Sequence, residues 1–381
     1  MSIETALPAP RRYLALDGLR GVAALAVLFY HLRNLEAVGR PAQADALFAS
    51  GYLAVDLFFL LSGFVIAHAY GDRLGTTLNL RAFLMARLIR LQPVIALGTV
   101  IGFSVALASR MLGLPGAPGL FAIATSLPPN LLMLPNPLVP WGIFLFNPPA
   151  WSLFYELVAN AAYGAVVCRK TKWKTPTRLA GQIALAAIAA AGLAGLVASV
   201  SMLGDLDRGV VLGDWPVALA RIAFSFTAGL LLHHTRGLWI PVMPHLPIFV
   251  LLPTCLALLA LGPTGVTRSW YDLVFVVVLS PLLVMATAVV DLRGGWARIA
   301  ASLGVVSYPL YATHAPIKHL AEMVLPLNFG ALFAVTSCTA VLTAWLVGAA
   351  IDPVLRQWLG AQVQSRSNRA KRSAAATANA V

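Results

Sequence analysis

Apolar stretches of about twenty residues recur along this chain from residue 14 to residue 351, separated by short polar links. A helix of that length matches the hydrocarbon thickness of a bilayer. In hydrocarbon every backbone N–H and C=O needs an internal partner, so such stretches must become helices. The spans read as 14–32, 49–69, 91–112, 148–168, 179–203, 215–234, 245–262, 271–291, 299–318 and 329–351. Hydrophobic residues are 59% of the 381 and charged residues 11%, against about 25% charged in a soluble domain. The expected fold is all-α, a polytopic integral membrane bundle of about ten transmembrane helices. Its parts are a cytoplasmic segment 1–13, a transmembrane domain 14–351 and a basic cytoplasmic tail 352–381, expected to be disordered. The first stretch is of spanning length and lacks a small-residue cleavage site, so it reads as a helix and not as a signal peptide.

The formal net charge is +13, which raises the question of nucleic acid. Its distribution gives another answer. Of the 27 Lys and Arg residues, 19 fall in alternate links: Arg11 and Arg12, then Arg73, Arg81, Arg87 and Arg90, then Arg169, Lys170, Lys172, Lys174 and Arg178, then Arg236, then Arg293 and Arg298, and finally the tail with Arg356, Arg366, Arg369, Lys371 and Arg372. Cytoplasmic links carry such an excess, so both termini are expected inside the cell. The charge is therefore topology plus attraction to anionic lipid, and no nucleic-acid partner is expected. Residues 113–147 are proline-rich yet apolar, too broken for a regular span, and suited to a re-entrant or surface segment that caps a cavity. Cys168, Cys255 and Cys338 are isolated and lack metal-ligand spacing; no metal is expected.

A charge inside the hydrocarbon costs about 2.5–3.5 kcal/mol on insertion scales, so each needs a partner or a task. The first span, LDGLRGVAALAVLFYH, holds Asp17, Arg20 and His31. Arg20 and His31 are eleven residues apart, which places them on nearly one helix face and about 16 Å apart along the axis. Asp17 is an i, i+3 neighbour of Arg20. Asp56, Glu156, Arg221 and His314 come from four other spans and are expected at the depth of His31. Convergence of five polar residues at one level is the pattern of a buried site. His31 is the candidate base, with Asp56 or Glu156 orienting it. Arg221 is the candidate counter-ion of Asp56 or Glu156. Ser62 reads as a packing residue, Trp151 as an interfacial aromatic, and Tyr311 as a neighbour of His314. Arg87 and Arg90 share a helix face and, with Arg20, suit phosphate.

These segments resemble a known family. Arg20, ten residues and then His31, followed in order by VDLFFLLSGFVI, RLIRLQP, WSLFYE and SYPLYATHAPI, is similar to the motif series of the acyltransferase 3 membrane proteins, over residues 14 to 350. The resemblance implies an inner-membrane enzyme of bacteria, a stand-alone form with no esterase-like domain. Such an enzyme moves an acyl group, by default acetyl, from cytoplasmic acyl-CoA to a hydroxyl of an extracytoplasmic acceptor such as a glycan. It carries His31 over as the essential histidine and Arg20 as its basic companion. The family pattern has a second Glu after the one at Glu156; this chain has Leu157. Catalytic residues are then expected to be His31, Asp56 and Glu156, and donor-binding residues Arg20, Arg87 and Arg90. Ser62, Trp151, Arg221, Tyr311 and His314 support them. The expected partners are membrane lipid, acyl-CoA and the hydroxyl acceptor. The rival reading is a proton-coupled transporter built on the same buried charges, for which internal repeats and paired broken helices are wanting.

Overall fold

The computed structural model describes residues 12–172, 178–263, 265–363 and 365. Arg11, Lys174 and the tail residues Arg366, Arg369, Lys371 and Arg372 lie outside them, as does the expected disorder of that stretch. Among the described residues the regular structure is helical, with no strand. The helices are α1 (Leu14–Leu32), α2 (Ala54–Tyr70), α3 (Leu80–Met111), α4 (Leu120–Leu131), α5 (Ala150–Lys172), α6 (Arg178–Leu203), α7 (Trp215–His234), α8 (Arg236–Trp239), α9 (Ile248–Ala260), α10 (Arg268–Val274), α11 (Ser280–Ala288), α12 (Gly294–Val324) and α13 (Phe329–Leu346). A π-helical turn joins α10 to α11, and another extends α13. Helix continues as far as Val363, through the start of what the sequence suggested was a disordered tail.

Seven helical stretches among the described residues are long and apolar enough to cross a membrane. The three other expected spans are helices too. α9 has only 13 residues. α5 and α12 have 23 and 31, ample length, but carry polar residues along their course. Both belong to the site described below.

α3 begins eleven residues earlier than its apolar stretch suggested. Asn79 caps it, its side chain accepting from the Ala82 N–H at 2.9 Å, which satisfies one of the unpaired donors of a helix start. Arg87 and Arg90 therefore sit inside a long helix rather than in a link. Residues 113–147 contain α4 and a folded loop. That loop is held by Asn130, which donates to the carbonyls of Leu134 and Ile143 at 3.2 and 3.1 Å. Asn136 donates to Ser126 at 2.9 Å. Polar side chains satisfy the backbone where proline prevents a regular span.

α1 packs most extensively on α12, and α2 on α7. Glycine makes both crossings close. A Cβ on Gly63 would meet the Phe226 carbonyl, and one on Gly229 the Leu60 carbonyl. On α1, a Cβ on Gly21 would meet the backbone of Leu303. Small residues let membrane helices approach where burial of apolar surface supplies no drive. α2 is almost wholly buried in the bundle, whereas α6 is mostly exposed on its rim.

Candidate active site

The α1–α12 contact brings two imidazoles together. His31 ends α1, and His314 lies mid-way along α12. His31 Nδ1 is 2.9 Å from the Val27 carbonyl, and His314 Nδ1 is 3.0 Å from the Leu310 carbonyl. A carbonyl only accepts, so both Nδ1 atoms carry a proton. His314 Nε2 is 3.2 Å from His31 Nδ1. With its own Nδ1 protonated, neutral His314 presents a lone pair there. The His31 Nδ1–H is thus shared between Val27 and His314, a three-centre arrangement. The lone pair of His31 is left on Nε2, which makes no hydrogen bond among the described residues. A backbone carbonyl and a second histidine hold one tautomer, and so set which nitrogen is basic.

Neither carboxylate orients His31 as expected, although Asp56 has its expected counter-ion. Asp56 takes Arg221 as its partner, with Arg221 Nη2 2.7 Å from Oδ2 and Nε 3.1 Å from it. Ser225 Oγ donates to Asp56 Oδ1 at 3.3 Å. Two further guanidinium protons go to the carbonyls of Tyr52 and Arg208, at 3.0 and 3.1 Å. Both side chains are essentially sealed, at 1% and 0% exposure. Trp151, expected at the membrane interface, is buried instead. Its ring lies 5.3 Å from the Arg221 guanidinium, and the backbone of Gly209 packs on it.

Glu156 accepts from Arg87 Nη2 at 2.5 Å and from Ser62 Oγ at 2.6 Å. The early start of α3 is the reason: it carries Arg87 into the bundle, opposite α5. Ser62 is a partner of the carboxylate as well as a small packing residue. The expected five-residue cluster is therefore three separate pairs, His31–His314, Asp56–Arg221 and Glu156–Arg87. Neither carboxylate touches His31.

Arg20, Arg87 and Arg90 do converge. They line one slender cavity of about 70 Å³, together with Ser62, Glu156 and Tyr311. Arg20 also pairs with Asp17 at 3.4 Å, as its spacing suggested. Arg87 is buried, yet its Nε has no hydrogen-bond partner among the described residues. An unpaired cationic donor beside a cavity is a ready contact for an anion. Tyr311 joins this cavity to the histidines. Its ring centroid is 5.9 Å from that of His314, and its hydroxyl meets Ser152 Oγ at 2.7 Å and donates to the Pro149 carbonyl at 3.2 Å.

Sequence reasoning passed over Ser152, and over a polar lattice at the His31 end of the bundle. There Tyr30 donates to Asp207, Tyr52 to Asp272, and Arg268 to both Tyr52 and Asp207, at 3.0 and 3.1 Å. It ties the link between α6 and α7 to α1 and α10. Tyr30 stands next to His31 in sequence, which was a hint; the acids lie too far along the chain for spacing to reveal them.

These features define an integral membrane protein, an α-helical bundle that holds a part-buried histidine pair near a cationic cavity. The profile of the acyltransferase 3 family, described as an acyltransferase domain, matches residues 13–349, and the chain belongs to that family: it is an acyltransferase. It is 41% identical over 194 residues to protein 2 in the picA locus of Rhizobium radiobacter, covering 48% of this chain and 96% of that protein. It is 35% identical over 153 residues to acyltransferase MdmB of Streptomyces mycarofaciens, covering 38% of this chain and 36% of that protein. A putative O-acetyltransferase of Staphylococcus aureus strain COL, SACOL0978, is 37% identical over 95 residues, 24% of this chain and 14% of that protein. The chain thus spans about a third and a seventh of the latter two relatives. No solved structure matches it.

Proposed function

We propose that the protein transfers an acyl group, by default acetyl, from acyl-CoA on the cytoplasmic side to a hydroxyl of an extracytoplasmic acceptor, a cell-envelope or exported glycan. The observation that carries this reading is the free Nε2 lone pair of His31 at one end of an α1 face whose other end, at Arg20, borders a cationic cavity. The printed name of the staphylococcal relative favours acetyl. The alternation of basic links supports a bacterial inner-membrane protein with cytoplasmic termini, which puts Arg20 at the inner end and His31 at the outer.

In this reading Arg20, Arg87 and Arg90 receive the phosphates of the donor. Arg87 lines the cationic cavity, and Glu156 with Ser62 holds its guanidinium in place. The acyl arm then runs along α1, past Tyr311, toward His31. His31 Nε2 takes the proton of the acceptor hydroxyl as its oxygen attacks the thioester carbonyl. The tetrahedral adduct collapses with loss of the C–S bond, and the departing thiolate takes the proton back from His31. The thioester supplies the driving force. His314 accepts the shared Nδ1–H throughout and keeps the imidazole in register. Asp56 and Arg221 hold α2 to α7 and to the outer link, and serve the fold rather than the chemistry.

The test is mass spectrometry of envelope glycans from a deletion strain carrying wild type or His31→Ala, with equal membrane levels of both. The expected result is an acyl mass that disappears on deletion, returns with wild type and stays absent with His31→Ala. An acyl mass restored by His31→Ala overturns the catalytic assignment. Glycans unchanged by deletion overturn the glycan acceptor.

A further inference from the structure

Beyond the histidines, toward the end of the bundle where α1 stops, lies a second and much larger cavity of about 520 Å³. That volume is in the range of small-ligand sites. Its walls are the last turns of α3 and α12, the link after α1, the 114–118 link between α3 and α4, and the folded segment after α4. Phe146 and Leu145 form part of an apolar side, and Trp141 stands at it with 58% of its surface exposed. The polar lining residues are Glu36, Ser109, His319 and Glu322.

These polar groups are organised. Glu322 accepts the Glu36 backbone N–H at 3.1 Å and pairs with Lys318 Nζ at 2.9 Å and with His319 Nδ1 at 3.3 Å. The Glu36 side chain is exposed, and its carboxylate has no partner among the described residues. On α12, His314, Lys318 and Glu322 follow at four-residue steps, so they form one stripe along the helix. Glu322 is about 12 Å along the axis from His314. A polar track thus leads from the groove to the histidine pair.

A cavity lined by an exposed indole together with carboxylates and an imidazole suits one chemistry well. A pyranose has an apolar C–H face, which lies on an indole, and a rim of hydroxyls, which donate to carboxylates. A lipid tail fits the indole but would strand the acids against hydrocarbon. We propose that this groove is an acceptor subsite that seats a sugar unit on Trp141, with its hydroxyls on Glu36, His319 and Glu322, so that the next unit reaches His31. The proposal rests on the acyl-transfer reading for its purpose, but binding is measured without turnover.

The full chain in nanodiscs is examined by saturation-transfer NMR with maltotriose, cellotriose and chitotriose, each alone. Ring C–H protons of at least one trisaccharide are expected to receive saturation from wild type and from Trp141→Phe. The signal falls roughly five- to tenfold in Trp141→Ala, the loss of one aromatic contact. His31→Ala keeps it. Coenzyme A binding, read by calorimetry, stays intact in Trp141→Ala and shows that the variant is folded. If that binding is lost, Glu36→Gln is read in its place and is expected to weaken the same signal. Silence from all three sugars, or an unchanged signal in the folded variant, overturns the groove proposal. Sugar binding with no acyl transfer by wild type would overturn the acyl-transfer reading alone and leave the groove standing.

Discussion

His314 Nε2 lies 3.2 Å from His31 Nδ1, and each ring turns its own Nδ1 to the carbonyl four residues earlier on its helix. His31 is thereby held in the tautomer that is basic at Nε2. Removing the His31 imidazole is expected to lower acyl transfer by about 10²–10⁴-fold, the usual worth of a general base. Removing His314 should cost less, about 10–100-fold, as for other groups that orient a reactive ligand from behind. His314→Gln, whose amide oxygen still accepts, should retain more activity than His314→Leu. Initial rates of coenzyme A release at saturating donor distinguish the three variants; equal rates for Gln and Leu would remove the orienting role.

Arg221 and Asp56 are sealed together at 1% and 0% exposure. Arg221→Met leaves the carboxylate buried without its partner, a change expected to cost about 3–5 kcal/mol. The double variant Arg221→Met with Asp56→Leu removes both charges and should recover much of that loss. Thermal unfolding in detergent reads the difference. Turnover per folded molecule should stay near wild type in the double variant, since neither side chain meets the histidines. A folded double variant with turnover abolished would return Asp56 to the chemistry.

Arg87 is a buried cation that lines the arginine-rich cavity, and its Nε is unpaired among the described residues. Arg87→Ala should raise the KM for acetyl-CoA by roughly tenfold or more, the worth of a charged hydrogen bond of about 1.5–3 kcal/mol. Arg87→Lys should not restore it, because an ammonium lacks the planar fork. The effect should shrink when the donor lacks one of its phosphates. The measurement is a KM series for acetyl-CoA and its dephospho analogue. An identical KM in wild type and Arg87→Ala would place the phosphates elsewhere.

Gly63 and Gly229 let α2 and α7 cross with backbones in contact. Gly63→Leu must push the helices apart and break the alignment of Asp56 with Arg221 in the same helix pair. The expected outcome is little monodisperse protein by size-exclusion chromatography. Gly39, which has open space around the position of a Cβ but a positive φ of 75°, should tolerate Asn better than Val, since αL favours Gly and Asn.

Much of this architecture is legible along the chain. The run Leu14–Leu32 matches its expected span residue for residue, and α7 and the start of α13 follow theirs, because hydropathy over twenty residues is a local property and the bilayer enforces its length. The shared face of Arg20 and His31 is equally local, a consequence of the helical repeat. α3 departs from its apolar stretch because a cap at Asn79 and good helix formers extend a helix past the hydrocarbon.

Sequence alone determined the helical class and the course of most spans, and it singled out His31, Arg20, Arg87 and Arg90, of which the three arginines line one cavity. Partnership was decided by the tertiary structure. His31 found a histidine 283 positions away, Glu156 found Arg87 and Ser62, and of the two acids open to Arg221 it was Asp56 that received it. Depth along a span is read from sequence to within a turn or so, but one residue of axial slip turns a side chain by about 100°. Which polar group faces which is therefore set by the close glycine crossings that lock α2 to α7 and α1 to α12, and by nothing written in any one segment.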